Sequence, residues 1–476
     1  MPNWNVPMRE IKHYIGGEFM TGGTGHLEST NPTRPEEILG RVPLASAEQV
    51  GQAVDVAATN QSTWRRQTGS HRANMLHAWG DAIAARQEEL AKTIVDEVGK
   101  PIGEARGEVQ RCVAILRYFA GEAVRPVGEV VPSLTPGALQ YSLREAHGVV
   151  GLVTPWNFPL AIPLWKAAPA LAVGNTVVLK PSEHSGYCAQ LLAETAHASG
   201  LGNVFQVVLG AGDTGRALVE HIDVRAVSFT GSDRTGKSIA MTCAERNKKF
   251  QTEMGGKNVA IVLSDADLRQ AAGLVAGGAM RFAGQKCTAT SRVVVDTGVR
   301  SQFIDELRIA IDALPVGDPA EATTAVGPVI SADSQARIEA AVSHAEFIHK
   351  STKPDKGFFV ASSVVGGISE TDELAQDELF GPVLALFESN SFEQAIQIAN
   401  HTRFGLSASL CTRDIGCALK YIDQIQAGMV RVNADTTGVD PHAPFGGYKG
   451  SSSGTREQGE VARDFYTQVK TVQINP

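Results

Sequence analysis

The sequence predicts an α/β protein of two doubly wound α/β domains with a small additional β element. Three observations carry this expectation. From residue 148 short, nearly all-apolar runs alternate with helical stretches, and a second alternation begins at residue 258. Strands with no polar face belong to parallel sheets covered by helices on both sides. The length of 476 residues is more than one hydrophobic core fills. Two strand-like stretches, 138–144 and 468–474, stand outside both alternations.

Taken in order, residues 14–19 read as a hairpin and Asn31-Pro32 as a turn. Helical segments follow at 46–61, 70–98 and 102–121; the second repeats apolar residues at Met75, Trp79, Ile83, Leu90 and Ile94. The first alternation places strands at 148–154, 175–180, 204–208 and 224–229, with helices at 159–173, 185–199, 214–220 and 234–246. The second places strands at 258–263, 292–296, 383–388, 406–411 and 429–433, with helices at 268–280, 301–313, 331–350 and 392–400.

Composition narrows the function. A hydrophobic content of 43% and a charged content of 20% describe an ordinary globular protein. A net charge of -8 with no basic stripe argues against a nucleic-acid partner. The cysteines at 112, 188, 243, 287, 411 and 417 form no Cys-x-x-Cys pair, so free thiols in a reducing compartment are expected, with no disulfide framework and no metal site. Residues 1–10 lack a signal-peptide core and no run approaches membrane-spanning length. The expected location is cytoplasmic, away from membranes.

Ligands of doubly wound sheets sit outside the carboxyl ends of the strands. There the chain places Asn157, the stretch Lys180 to Glu183, and Gly231-Ser232. Cys287 lies on a Gly-containing loop between a helical run and a β-branched strand, where a reactive side chain can be presented. A lone cysteine is more often a small buried hydrophobe, so its role depends on its company. The stretch Gly231 to Ser238 satisfies the P-loop pattern after a strand and before a helix, and Asp265 follows a later strand. A nucleoside triphosphate with magnesium and a dinucleotide pyrophosphate both suit such a turn, and that stretch alone leaves both open.

The remaining motifs are Pro155-Trp156-Asn157-Phe158-Pro159, Lys180-Pro181-Ser182-Glu183, Phe229-Thr230-Gly231-Ser232, Glu253-Met254-Gly255-Gly256-Lys257, Gly284-Gln285-Lys286-Cys287 and Glu378-Leu379-Phe380-Gly381-Pro382. In this order, from Tyr14-Ile15-Gly16-Gly17 to the last strand, the chain resembles the aldehyde dehydrogenase superfamily. The resemblance implies a dinucleotide-binding domain at 1–124 and 147–254, a catalytic domain at 255–453, and an oligomerisation element at 125–146 and 454–476. It makes the P-loop-like turn part of a dinucleotide site, in preference to an NTPase.

The resemblance also implies the chemistry: oxidation of an aldehyde to a carboxylate through a Cys287 thiohemiacetal and thioester. Asn157 and the Cys287 backbone N–H would stabilise the alkoxide, and Glu253 would activate the hydrolytic water. Thr154, Pro155, Trp156, Lys180, Ser182, Glu183, Gly212, Phe229, Thr230, Gly231, Ser232, Glu253, Gly255, Glu378 and Phe380 would bind the cofactor. Glu183 would repel a ribose 2′-phosphate, so NAD is favoured and NADP is the alternative. Lys166 and Glu457 match proton-relay positions.

Substrate choice falls to Phe158, Trp165, Lys286, Thr288 and Phe445. Relatives that oxidise succinic semialdehyde often carry Arg where this chain has Trp165, so no carboxylate clamp stands there. The stretches 285–292, 435–447 and 449–452 resemble those of 2,5-dioxopentanoate (α-ketoglutaric semialdehyde) dehydrogenases. Phe158, Trp165 and Phe445 could instead line a funnel for an aromatic or aliphatic aldehyde. The two strands outside the alternations need partners, in the same chain or in a second copy. A homodimer or homotetramer is expected, and light scattering at micromolar concentration should report a mass of at least two chains; a strict monomer would remove the inference.

Overall fold

The computed structural model describes residues 8–476. The signal-peptide reading at residues 1–10 therefore falls largely outside the described residues. The first sheet has eight strands in the order Ser452–Ser453, Lys249–Glu253, Val224–Thr230, Val149–Val153, Thr176–Lys180, Phe205–Val207, His13–Ile15 and Glu18–Met20. Its middle five strands are parallel. Alternate residues face opposite ways: Val150, Leu152, Val177 and Leu179 join one core, and Val149, Val153 and Val178 join another. A strand buried on both faces shows no polar alternation, which is why these segments are conspicuous in the sequence.

The second sheet has seven strands in the order Glu346–Lys350, Ser363–Gly366, Val383–Ser389, Thr290–Asp296, Asn258–Val262, Ser407–Cys411 and Met429–Val432. It is parallel except at its first pair. The two stretches outside the alternations pair with each other, Thr467–Ile474 running antiparallel to Leu139–Ala146 from Thr467↔Ala146 to Ile474↔Leu139. Val130–Val131 adds a third strand. Among the described residues no helix is long and apolar enough to cross a membrane.

Two expected helices are corrected. The 70–98 segment divides into Gly69–Ala85 and Gln87–Val98 at Arg86, where φ is -111° and ψ is 22°. The Arg86 guanidinium binds Glu89 at 2.8 Å and Glu194 at 2.9 Å, which anchors the break against a neighbouring helix. The 331–350 segment is helical only over Ala332–Ala341; Glu346–Lys350 forms an edge strand against Ser363–Gly366. Non-local pairing overrides local helical pattern there. Strands Lys249–Glu253, Ser363–Gly366 and Ser452–Ser453 and helix Ile415–Gln424 are further elements that the periodicity did not mark.

One packing device bears directly on the site. Helix Ala161–Ala172 has no side-chain cap of its own, and its free N–H groups need acceptors. Glu108, from helix Ile102–Glu122, accepts from Leu160 N at 3.0 Å and Ala161 N at 3.1 Å. Its other oxygen pairs with Lys100, and both side chains are wholly buried. Removing one partner strands the other charge in a low-dielectric interior. Glu108→Ala should therefore cost about 3 to 5 kcal/mol, measured by denaturant unfolding, and a loss under about 1 kcal/mol would contradict this reading.

Candidate active site

The loop bearing Cys287 is shaped by an unusual run of backbone. After helix Leu268–Met280, Phe282, Ala283 and Gly284 all have positive φ, at 54°, 51° and 66°. Such dihedrals are costly for Phe and Ala and persist only where the surroundings fix them. Here Phe282 is fully buried and its N–H donates to Ala325 O at 3.1 Å. At Gly284 a Cβ would lie 2.4 Å from Gly381 O, so glycine is required. Gln285 then clamps the turn, donating to Pro328 O at 3.1 Å and accepting from Ile330 N at 2.9 Å.

Cys287 itself is partly accessible. Its carbonyl accepts from Asn258 Nδ2 at 2.8 Å, and the same amide donates to Ala289 O at 2.8 Å while its Oδ1 accepts from Ser407 N at 2.9 Å. Asn157 is buried and donates Nδ2 to Gln285 O at 3.0 Å. Asn157, at a strand end of the first sheet, therefore reaches the loop that carries Cys287 in the second, two residues before the cysteine. Burial pushes the Cys287 thiol well up, and the charges of Glu378, Glu253 and Glu457 push the same way.

Glu253 ends its strand 2% exposed. One oxygen accepts from Ser452 Oγ at 2.5 Å and Oε1 has no partner. Its carboxyl is raised well above the ordinary range, first by burial and then by the charge of Glu457, against the Ser452 bond. Glu457 lies in a buried network: it is ion-paired with Lys166, accepts from Gln251 Nε2 and Ser228 Oγ at 3.1 Å, and accepts from Trp165 Nε1 at 2.8 Å. Trp165 thus spends its only polar group on Glu457, and its ring meets Phe445 at 5.4 Å.

At the cofactor positions, Lys180 ends a strand 6% exposed with its Nζ 3.6 Å from Glu183, and burial lowers its ammonium. Ser182 caps the following turn at His184 N, and Ser232 caps helix Asp233–Glu245 at Thr235 N. Thr154 and Thr230 keep buried hydroxyls with no partner. Gly212 opens a helix with free space above it, and Pro155, Phe229 and Gly231 complete the strand ends. A cleft of about 610 Å³ runs from Ser232 and Arg234 past Arg337 to Glu378 and Phe404. The unpartnered hydroxyls, the helix N-terminus and the Lys180–Glu183 pair fit a dinucleotide.

Glu378 accepts from Gly256 N at 3.2 Å, and a Cβ on Gly255 would lie 2.2 Å from Glu378 Oε2. Phe380, with φ 54°, meets Trp156 at 5.6 Å, edge to face. In the substrate set, Phe158 lies under Lys100, whose Nζ is 3.7 Å from the ring centroid. Thr288 is buried, and its carbonyl accepts from Thr436 Oγ1 at 2.6 Å. Lys286 turns to Glu104, 2.8 Å away, so its ammonium is committed to helix Ile102–Glu122. The P-loop signature lacks its phosphate grip: Lys237 is exposed and bound to Asp233 at 3.1 Å on its own helix. Asp265 is engaged by Thr412 Oγ1 at 2.8 Å and Arg413 N at 2.8 Å.

Asn258, Gln251 and Ser228 were not marked as site residues by the sequence, and Ser452 stood out only as part of the 449–452 stretch, without its link to Glu253. Each acts through a partner 23 to 229 residues away, which no local pattern shows. Glu378 provides a pH test, since burial is the first cause raising its carboxyl from 4.5 to about 7. A raised folded value favours the protonated form, so this stabilisation is full below pH 4.5 and fades as pH rises to about 7. The melting temperature of the parent relative to Glu378→Gln should fall across that window and then level off; a flat difference would contradict the assignment.

The aldehyde dehydrogenase family model matches residues 19–472. The chain is 42% identical to an alpha-ketoglutaric semialdehyde dehydrogenase of Bacillus subtilis, covering 98% of each chain. It is 37% identical to an alpha-ketoglutarate semialdehyde dehydrogenase of Haloferax volcanii, covering 97% of this chain and 98% of the relative. An NAD-dependent aldehyde dehydrogenase from Sinorhizobium meliloti superposes with a TM-score of 0.95 at 35% identity, covering 100% of this chain and 97% of the other. The chain therefore belongs to the aldehyde dehydrogenase family and is an NAD(P)-dependent oxidoreductase acting on aldehydes.

Proposed function

We propose that the chain oxidises 2,5-dioxopentanoate to the corresponding dicarboxylate, with Cys287 as nucleophile, Asn157 as oxyanion donor and Glu253 as general base. The observation that carries this reading is the convergence of a partly accessible Cys287, an Asn157 amide fixed to Gln285 O, and a buried Glu253 with one free oxygen. The names of the two semialdehyde dehydrogenase relatives support the substrate. The apolar pair Trp165 and Phe445 supports an aliphatic or aromatic aldehyde as the second reading.

The chain's own groups divide the work. A carboxylate raised by its own burial is a stronger base than an ordinary one, which suits Glu253 to the water that hydrolyses the thioester. When sulfur adds to the aldehyde carbon, the oxygen becomes an alkoxide. The Asn157 amide has two N–H groups; one is held by Gln285 O and the other is free to donate to that oxygen, beside the Cys287 N–H. Lys180, Glu183, Ser232, Glu378 and Phe380 would hold NAD(P)+, which is the two-electron oxidant when bound. For the thioester that follows, the free Glu253 oxygen takes a proton from water, and Lys166 and Glu457 offer a buried route for it.

Glu183, 3.6 Å from Lys180 at the strand end, would repel a ribose 2′-phosphate, which favours NAD over NADP. In this reading residues 1–124 with 147–254 hold the dinucleotide, 255–453 present Cys287, and 125–146 with 454–476 join subunits in a cytoplasmic homo-oligomer. Cys287→Ala should abolish aldehyde-dependent NADH formation, and wild-type turnover in that variant would sink the mechanism. Asn157→Ala should lower kcat about 100- to 1,000-fold. Glu253→Gln should slow thioester hydrolysis about 100-fold or more while a first-turnover burst survives. A kcat/KM panel of 2,5-dioxopentanoate against aliphatic and aromatic aldehydes, with NAD and NADP, decides substrate and cofactor.

A further inference from the structure

Helix Ile102–Glu122 turns Glu104, Glu108 and Arg111 toward the site, at the i, i+4, i+7 spacing of one helical face. Glu104 is paired with Lys286 and Glu108 with Lys100. Arg111 breaks the series. It is partly buried, and desolvation is the first cause lowering its guanidinium from the ordinary value. Among the described residues no carboxylate lies within ion-pair distance of it. Glu108 and the exposed Asp440 act on it at longer range, and Arg431 opposes it with like charge.

Its one hydrogen-bond acceptor is the carbonyl of Val439. Arg431 donates to the neighbouring Gly438 carbonyl and keeps a buried Nε without a partner. Two guanidiniums therefore converge on one loop with no acid bound to either. That loop spans the approach to the nucleophile. At one end Thr436 Oγ1 donates to Thr288 O at 2.6 Å, one residue from Cys287. At the other, Phe445 stacks on Trp165 and its N–H donates to Glu457 O at 2.7 Å. Arg111 lies two turns, about 10 Å, along its helix from Glu104, the partner of Lys286.

We propose that Arg111, with Arg431 adding positive potential behind it, binds the distal carboxylate of the substrate and makes this site selective for acidic semialdehydes. The inference rests on the proposed substrate reading. It also answers an absence: Trp165 stands where a carboxylate-binding Arg is common, and its indole N–H is taken by Glu457, so the clamp comes from helix Ile102–Glu122 instead. A planar guanidinium suits a carboxylate by paired, charge-assisted hydrogen bonds. Leaving it without a counter-ion costs the free enzyme part of its desolvation energy, which an anionic substrate returns.

The test compares 2,5-dioxopentanoate with pentanal, which has the same chain length and no charge. Wild type should prefer the acid, and in Arg111→Met the ratio of acid to pentanal kcat/KM should fall about 10- to 100-fold, mainly through KM. Arg111→Lys should recover part of the ratio. Glutarate should inhibit wild-type pentanal oxidation competitively, a measurement that needs no folded variant. An unchanged ratio in Arg111→Met, or no inhibition by glutarate, would overturn the clamp. Wild type that oxidises pentanal and rejects the acid would overturn the clamp and the substrate reading while leaving the Cys287 mechanism standing.

Discussion

The site depends on the side-chain amide of Asn258. One residue fixes the carbonyls of Cys287 and Ala289 and the N–H of Ser407, so the Cys287 peptide is locked to the strand ends of the second sheet. A thiol on a Gly-containing loop would otherwise sample many orientations. Catalytic groups held within a few tenths of an ångström act far better than loosely held ones. The left-handed run from Phe282 to Gly284 and the Gln285 clamp serve the same end from the other side.

Burial is the second organising constraint, and it acts on acids and thiol together. Glu253, Glu378 and Cys287 are all raised, with desolvation the leading cause in each. Glu457 adds to the rise at Glu253 but is itself compensated by Lys166. An arrangement of this kind keeps a base strong enough to be useful while confining its charge to a water-poor interior. Lys257, buried beside Glu378 and Arg292, is lowered to about 7 by the same physics.

Much of this was legible in the chain because parallel sheets advertise themselves. Val149–Val153 and Asn258–Val262 are apolar on both faces, and motifs at their ends mark where ligands go. What stayed hidden was either non-local or single-residue. Strand Glu346–Lys350 exists only because Ser363–Gly366 lies beside it, and Arg86 interrupts a helix with no proline or glycine to announce it. Within the site, Lys286 was expected at the substrate, but its ammonium turns to Glu104, an ion pair between separate segments that adjacency to Cys287 could not foretell. Arg111 was invisible because what sets it apart is the lack of an acidic partner.

The pairing of Ser452–Ser453 with Lys249–Glu253 has a consequence for modularity. The late chain leaves the second sheet at Met429–Val432, passes Thr288 and Trp165 and returns to edge the first sheet beside Glu253. The same two-residue strand brings the Ser452 hydroxyl to the Glu253 carboxylate. A fragment ending after residue 254 would thus keep the Glu253 strand but expose its outer edge and lose that hydroxyl. The two sheets are separate in topology yet not separable as working parts, so exchange of the first-sheet half between relatives would have to carry the 435–466 return along with it.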